Sequence, residues 1–262
     1  MAEAKSIPAG AEAGRNRPGR REPGPGSAGA RPRRFYTEAR AAPVEGGHGV
    51  VLDDRPVLTP LGRPLRVAHQ VLGAAIAAEW AAQQSHIDTG AMPLTRIAST
   101  AIDHVGRERA GFVAVIARYA ACDLVCYRAG APAGLALRQA EAWDPIVAWA
   151  EAAAGGRVAL ATGIVAVEQP ARMLDALGAH IAAHDDLALT ALAMTTTMTG
   201  SALIALALSH GLMGADAAWA AAHVDEDWQI ARWGEDAEAA RVRARLHRDF
   251  AAAARVLGIC RA

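Results

Sequence analysis

The chain has 262 residues, 52% hydrophobic but only 5% aromatic, and its 27 Lys plus Arg balance 27 Asp plus Glu to a formal charge of zero. That zero averages two unlike parts, because Met1 to Arg34 holds eight basic and three acidic residues, a local net of +5, and the remainder is therefore −5. A mildly acidic body excludes a protein that neutralises phosphates over its whole surface, so nucleic acid is not an expected partner, while the apolar content is enough for a sizeable core.

Residues 1–33 are dominated by Gly, Pro, Ala and Arg and contain a single large aliphatic, Ile7, after Met1. Little apolar surface is available there to offset the entropy of ordering, so a disordered tail is expected. Its arginines resemble those of a mitochondrial transit peptide, but its prolines oppose the amphipathic helix such a peptide needs.

Short strands are expected next, from about Phe35 to Val67. Val50-Val51-Leu52 and Pro56-Val57-Leu58 flank the polar reversal Asp53-Asp54-Arg55, which is a hairpin pattern, and Pro60-Leu61-Gly62 makes a second break before Pro64-Leu65-Arg66-Val67. From there helical spacing takes over. Leu72, Ile76 and Trp80 mark a helix over 69–84 that covers one sheet face. Further stripes run through Leu94, Ile97, Ala98, Ala101, Ile102 and Val105, then Phe112, Val115, Ile116 and Tyr119, then Trp143, Ile146, Val147 and Ala150, with Pro145 suited to a first helical turn. Val158 to Val167 reads as a strand or a buried connection, and 171–183, 186–209, 215–232 and 235–257 as helices. The expected fold is α+β: a small β-rich N-terminal domain over 34–90, followed by a larger α-helical domain over 91–262.

Leu187 to Ser209 carries no charge and is long enough to span a bilayer. Its six or more hydroxyl side chains and the lack of flanking basic asymmetry favour a central helix enclosed by other helices, so no stable membrane insertion is expected.

Signatures of chemistry are sparse. No phosphate-cradling glycine loop and no nucleophile elbow occurs, and no cofactor is expected. Cys122, Cys126 and Cys260 are too few for a disulfide framework and read as buried thiols in a reducing compartment. Asp123, Cys126 and Tyr127 form a local trio that nothing distant completes. His180 and His184, four apart, precede Asp185 and Asp186 and offer the alternative reading of a metal-dependent enzyme. A zinc peptidase helix would carry Glu after the first His, however, and position 181 is Ile, so a solvated helix end with acidic caps is the preferred reading.

The densest unusual patch is Asp225-Glu226-Asp227-Trp228-Gln229-Ile230 with Trp233-Gly234-Glu235-Asp236. On a helix Glu226, Gln229, Ile230 and Trp233 share one stripe. Either Trp228 or Trp233 packs into the core below solvated acids, or the stripe is a partner surface in which aromatics supply energy and acids select a basic partner.

Several segments in order resemble the Atp12 family of F1 ATP synthase assembly chaperones. They are Arg34-Phe35-Tyr36; Leu52-Asp53-Asp54-Arg55-Pro56-Val57-Leu58-Thr59-Pro60; Ala78-Glu79-Trp80 with Gln83-Gln84; Met92-Pro93-Leu94-Thr95 with Asp103; Cys126-Tyr127-Arg128; Glu141-Ala142-Trp143-Asp144-Pro145-Ile146 with Trp149-Ala150; and the Asp225 to Gly234 patch. The resemblance implies a small α+β domain followed by a helical one. It also implies a chaperone without enzymatic activity that binds the free F1 α subunit and masks its β-pairing surface, in the bacterial cytoplasm or, for a eukaryotic source, the mitochondrial matrix. It places the client-binding residues at Glu226 above all, with Gln229 and Trp233 on the same face and Asp225, Asp227 and Glu235 beside them. Trp80 and Trp143-Asp144-Pro145 are expected to keep the fold.

Overall fold

A computed structural model of the chain describes residues 31–163 and 165–261. The disorder expected of the first 30 residues lies outside the described residues. Residues 32–34 pair with the loop after the first helix. Pro32 O accepts from Ile87 N, Arg33 bridges to His86, and Arg34 N donates to Ser85 O at 3.0 Å.

A four-stranded antiparallel sheet forms first, from β1 (Ala39–Val44), β2 (Gly47–Leu52), β3 (Arg55–Pro56) and β4 (Arg66–Val67). β2 is central, flanked on one side by β1 and bonded on the other to β3 and β4. Asp53 and Asp54 form the expected hairpin turn with φ of 46° and 76°, the doubly left-handed backbone that matches strand twist. Local bonds offset that strain, since the Asp53 carboxylate accepts from the N–H groups of Thr37 and Glu38. β1 falls in the stretch expected to hold short strands, but Ala-Arg-Ala-Ala-Pro-Val has no strand alternation to mark its bounds; it pairs with β2 along its whole length. At Gly47 φ is +145° and a Cβ would lie 2.4 Å from Val67 O, so only glycine lets β4 approach.

Helix α1 (Gln70–Ala81) lays Leu72 and Ile76, both fully buried, on this sheet. Trp80 at its end receives the Tyr36 ring edge-on, and Tyr36 Oη donates to Trp80 O at 2.7 Å. Glu79 reaches forward to α2 (Pro93–Thr100), where its carboxylate accepts from Leu94 N, Thr95 N and Thr95 Oγ1 at 2.7–2.8 Å and supplies the cap that Met92 lacks. α2 runs through a π-helical turn, Ala101–Val105, into α3 (Gly106–Ala121). The extra residue of that turn aims Asp103 inward, where it accepts from Thr59 Oγ1 at 2.6 Å and Leu61 N at 3.0 Å. Burial pushes the Asp103 carboxyl up, but the bonds from Thr59 and Leu61 and the Arg63 charge outweigh it and hold it below its ordinary value.

A short 3₁₀ turn, Leu124–Cys126, leads to β5 (Tyr127–Arg128), which pairs in parallel with β6 (Ala161–Thr162); the β-branched stretch over 158–167 is thus mostly a connection. Between them lies α4 (Ala133–Ala154). Pro145 falls inside this helix and not in its first turn, because the Ala, Leu, Arg and Gln run over 133–142 is strongly helix-forming and extends the helix upstream. Trp143, on the buried face of the same helix, donates from Nε1 to Ala221 O at 2.7 Å.

The remaining helices are α5 (Ala171–Ala182), α6 (Asp186–Thr199), α7 (Ala202–Ser209), α8 (Ala215–Ala222), α9 (Val224–Trp233) and α10 (Ala237–Arg261). The single helix expected over 186–209 is two, separated by Gly200 at φ +68° and by Ser201, which caps α7. Buried Asp123 fixes this break: it accepts from Ser201 Oγ at 2.5 Å and Leu203 N at 2.9 Å. Likewise 215–232 is split at His223, whose φ and ψ of −116° and 20° leave the helical region. Both α6 and α7 are enclosed on nearly every side, which accounts for their all-round apolarity. Among the described residues no helix is long and apolar enough to cross a membrane.

Candidate functional site

The carboxylate and tryptophan patch lies on α9, an exposed helix with no buried residue, wedged between α4 and α10. Its N-terminal turn carries Asp225, Glu226 and Asp227, which suits the positive end of the helix dipole. Two of these acids are committed to holding the helix. Asp225 Oδ1 accepts from Gln139 Nε2 of α4 at 2.6 Å, and Asp227 is clasped by the Arg243 guanidinium of α10. Trp228 serves the same purpose. Its ring lies over Gly134 of α4, where a Cβ would come within 2.7 Å, and it is flanked by Arg138 and Arg232 at 4.9 and 4.2 Å from the centroid.

Glu226, Gln229 and Trp233 point the other way. With Ile230, Glu235 and Asp236 they line a shallow cavity of about 240 Å³ at the α9–α10 corner. Glu226 is anchored only loosely, 3.9 Å from Arg243 Nε and 3.8 Å from His223 Nε2, and its side chain is 45% exposed. Trp233 is 77% exposed, more than any other large hydrophobic side chain among the described residues. Gly234, at φ +86°, ends α9 just after it. Of the six residues singled out from the sequence, Glu226, Gln229, Trp233 and Glu235 therefore share one surface, and Asp225 and Asp227 are turned toward α4 and α10. Arg243 and His223, which face Glu226, had no local sequence signal; His223 is one turn away but is held under α9 by stacking on Trp219 at 3.8 Å. Neither Trp228 nor Trp233 is buried, so of the two readings left open the one that sends a tryptophan of this patch into the core does not hold; the α8 tryptophan, Trp219, is the one packed against Phe250.

The other candidates resolve differently. Asp123 is fully buried and caps helix ends, Cys126 is buried beside it, and Tyr127 is in β5, so the trio is structural. Cys122 is exposed, contrary to the expectation of buried thiols, because α3 ends there and turns it outward. Among the described residues His180 and His184 do not join Asp185 in a group of candidate ligands: His184 Nδ1 is bonded to His180 O at 2.9 Å, and one oxygen of Asp185 caps α6, accepting from Ala188 N at 2.7 Å. Their placement gives no support to a metalloenzyme built on those three residues together.

The family profile described as ATP12 chaperone protein matches residues 33–151. The solved structure of Atp12 from Paracoccus denitrificans is 38% identical, with a TM-score of 0.81, and the match covers 87% of this chain and 98% of that one. The chain belongs to the ATP12 chaperone family. A point mutant of the Paracoccus protein matches at 37% identity over the same shares, with a TM-score of 0.81. The Atu1473 protein of Agrobacterium tumefaciens matches at 39% identity, with a TM-score of 0.82, over 87% of this chain and 85% of that one. Glu79, Trp80, Gln83, Asp103 and Trp143, quoted above for the resemblance, each join one element or loop to another.

Proposed function

We propose that this ATP12-family protein chaperones assembly of the F1 sector of ATP synthase, and that it does so by binding the free F1 α subunit through the outer face of α9. The observation that carries this reading is Trp233, an indole left in solvent beside a ring of carboxylates on a helix whose other acids are already paired. An isolated exposed apolar residue needs no explanation, but an exposed Trp over a small cavity with Glu226 and Glu235 at its rim has the make-up of an interface anchor. The acidic rim favours a client surface carrying basic groups, and the partly polar, shallow shape favours an affinity that a stronger partner overcomes. A subunit awaiting its partner exposes apolar, edge-rich surface on which aggregation competes with assembly, and a cap of this kind shields it until the β subunit arrives. Such a role belongs in the cytoplasm of a bacterium or, for a eukaryotic source, in the mitochondrial matrix. No enzymatic step is assigned to it.

The test is co-expression of the F1 α subunit with this chain. Soluble α subunit is expected to co-purify and to be released when β subunit is added; α subunit that aggregates equally with and without the chain contradicts the reading.

A further inference from the structure

The placement that removes His180 and His184 as partners of Asp185 gives Asp185 two others. His69 lies in the link from β4 to α1, Asp185 caps α6, and Cys260 lies in the last turn of α10; their ligand atoms are all within 4.8 Å of one another. We propose that His69, Asp185 and Cys260 bind a divalent transition-metal ion of the zinc class, as a structural clamp that ties the end of the last helix to the start of α1 and α6. This assignment does not rest on client binding.

The donor set is one imidazole nitrogen, one carboxylate oxygen and one thiolate sulfur, which suits zinc-like ions and not magnesium or calcium. A tetrahedral ion holds its ligands at about 2.0–2.3 Å, so the three atoms must draw together by about 1 Å, a movement within reach of side-chain rotation on partly exposed residues. Asp185 is already oriented for this. One of its oxygens accepts from Ala188 N, which fixes the carboxylate and leaves the second oxygen as a donor. Asp185 also sits between two cavities, one of about 220 Å³ that it shares with His69 and one of about 470 Å³ that it shares with Cys260, so an ion and a water as fourth ligand have room and access. Arg261, which lines the larger cavity, donates to Leu208 O.

The experiment uses the full chain, prepared without a histidine tag and freed of metal by chelator. Titration with Co²⁺ is expected to produce a thiolate-to-cobalt charge-transfer band that saturates at one equivalent and disappears on adding Zn²⁺. Cys260→Ser is expected to lose the band, and His69→Ala to weaken binding by roughly tenfold or more. Independently of any variant, Zn²⁺ is expected to protect Cys260 of the wild-type chain from alkylation while exposed Cys122 still reacts. Absence of the thiolate band in the wild-type chain, a band retained in Cys260→Ser, or alkylation of Cys260 undiminished by Zn²⁺ each overturns the proposal.

Discussion

Arg243 of α10 clasps the Asp227 carboxylate of α9, while the neighbouring Glu226 stays 3.9 Å from the same guanidinium. Adjacent acids on one helical turn thus take different tasks, one bonded into the fold and one left at the surface. The pair is partly exposed, so its worth is modest. Asp227→Ala and Arg243→Ala are each expected to lower stability by about 1 kcal/mol, and a double-mutant cycle to return a coupling of comparable size. Additive effects in urea unfolding contradict the pairing.

The two tryptophans of α9 separate in the same manner. Trp233→Ala removes a side chain that supports nothing beneath it, so the melting temperature is expected to move by less than about 2 °C while capture of F1 α subunit falls at least about tenfold. Trp228→Ala strips the ring that α4 receives at Gly134 and that two arginines cover, and is expected to cost about 1–2 kcal/mol of stability. Calorimetry and co-purification of both variants distinguish the roles; a destabilised Trp233→Ala contradicts them.

Asp123 gives the fold a pH dependence. Burial pushes its carboxyl from the ordinary 3.8 to about 6, and the bonds from Ser201, Leu203 and Val125 pull it back only in part. Between those two values the native state holds a proton that the unfolded chain has released, so this group makes stability fall as pH rises from 3.8 to about 6, with no further change above. Asp123→Asn, which does not titrate, is expected to lose that component of the slope. Asp123→Ala leaves Ser201 Oγ and Leu203 N unpaired in the core and is expected to cost about 2–4 kcal/mol at any pH. Urea midpoints at about pH 4.5 and about pH 6.5 read both effects, and identical slopes for wild type and Asp123→Asn contradict the assignment.

Where a residue's task is set by its neighbours in sequence, it was legible in advance. The Asp53-Asp54 hairpin, the Leu72 and Ile76 face of α1, and the enclosure of α6 and α7 each follow from local periodicity or turn chemistry. The misses are tertiary. The bounds of β1, within a stretch expected only as short strands, are set by its pairing with β2; Pro145 lies mid-helix because strong helix formers precede it; the α6–α7 break depends on Asp123, which belongs to an earlier element. The candidate site divides along the same line. The stripe of Glu226, Gln229 and Trp233 follows from helical spacing, whereas the commitment of Asp225 to Gln139 and of Asp227 to Arg243 rests on partners from α4 and α10. His69, Asp185 and Cys260 meet only through the tertiary fold, which is why His180 and His184 drew the metal reading from the sequence.

The central claim is that Glu226 faces the client and not the fold, and Glu226→Lys tests it most directly. The reversal of charge at the cavity rim is expected to reduce the amount of co-expressed F1 α subunit recovered with the chain by at least about tenfold, with circular dichroism unchanged and the melting temperature within about 2 °C of wild type. Undiminished recovery of α subunit, or a loss that is matched by a collapse of the melting temperature, contradicts the account.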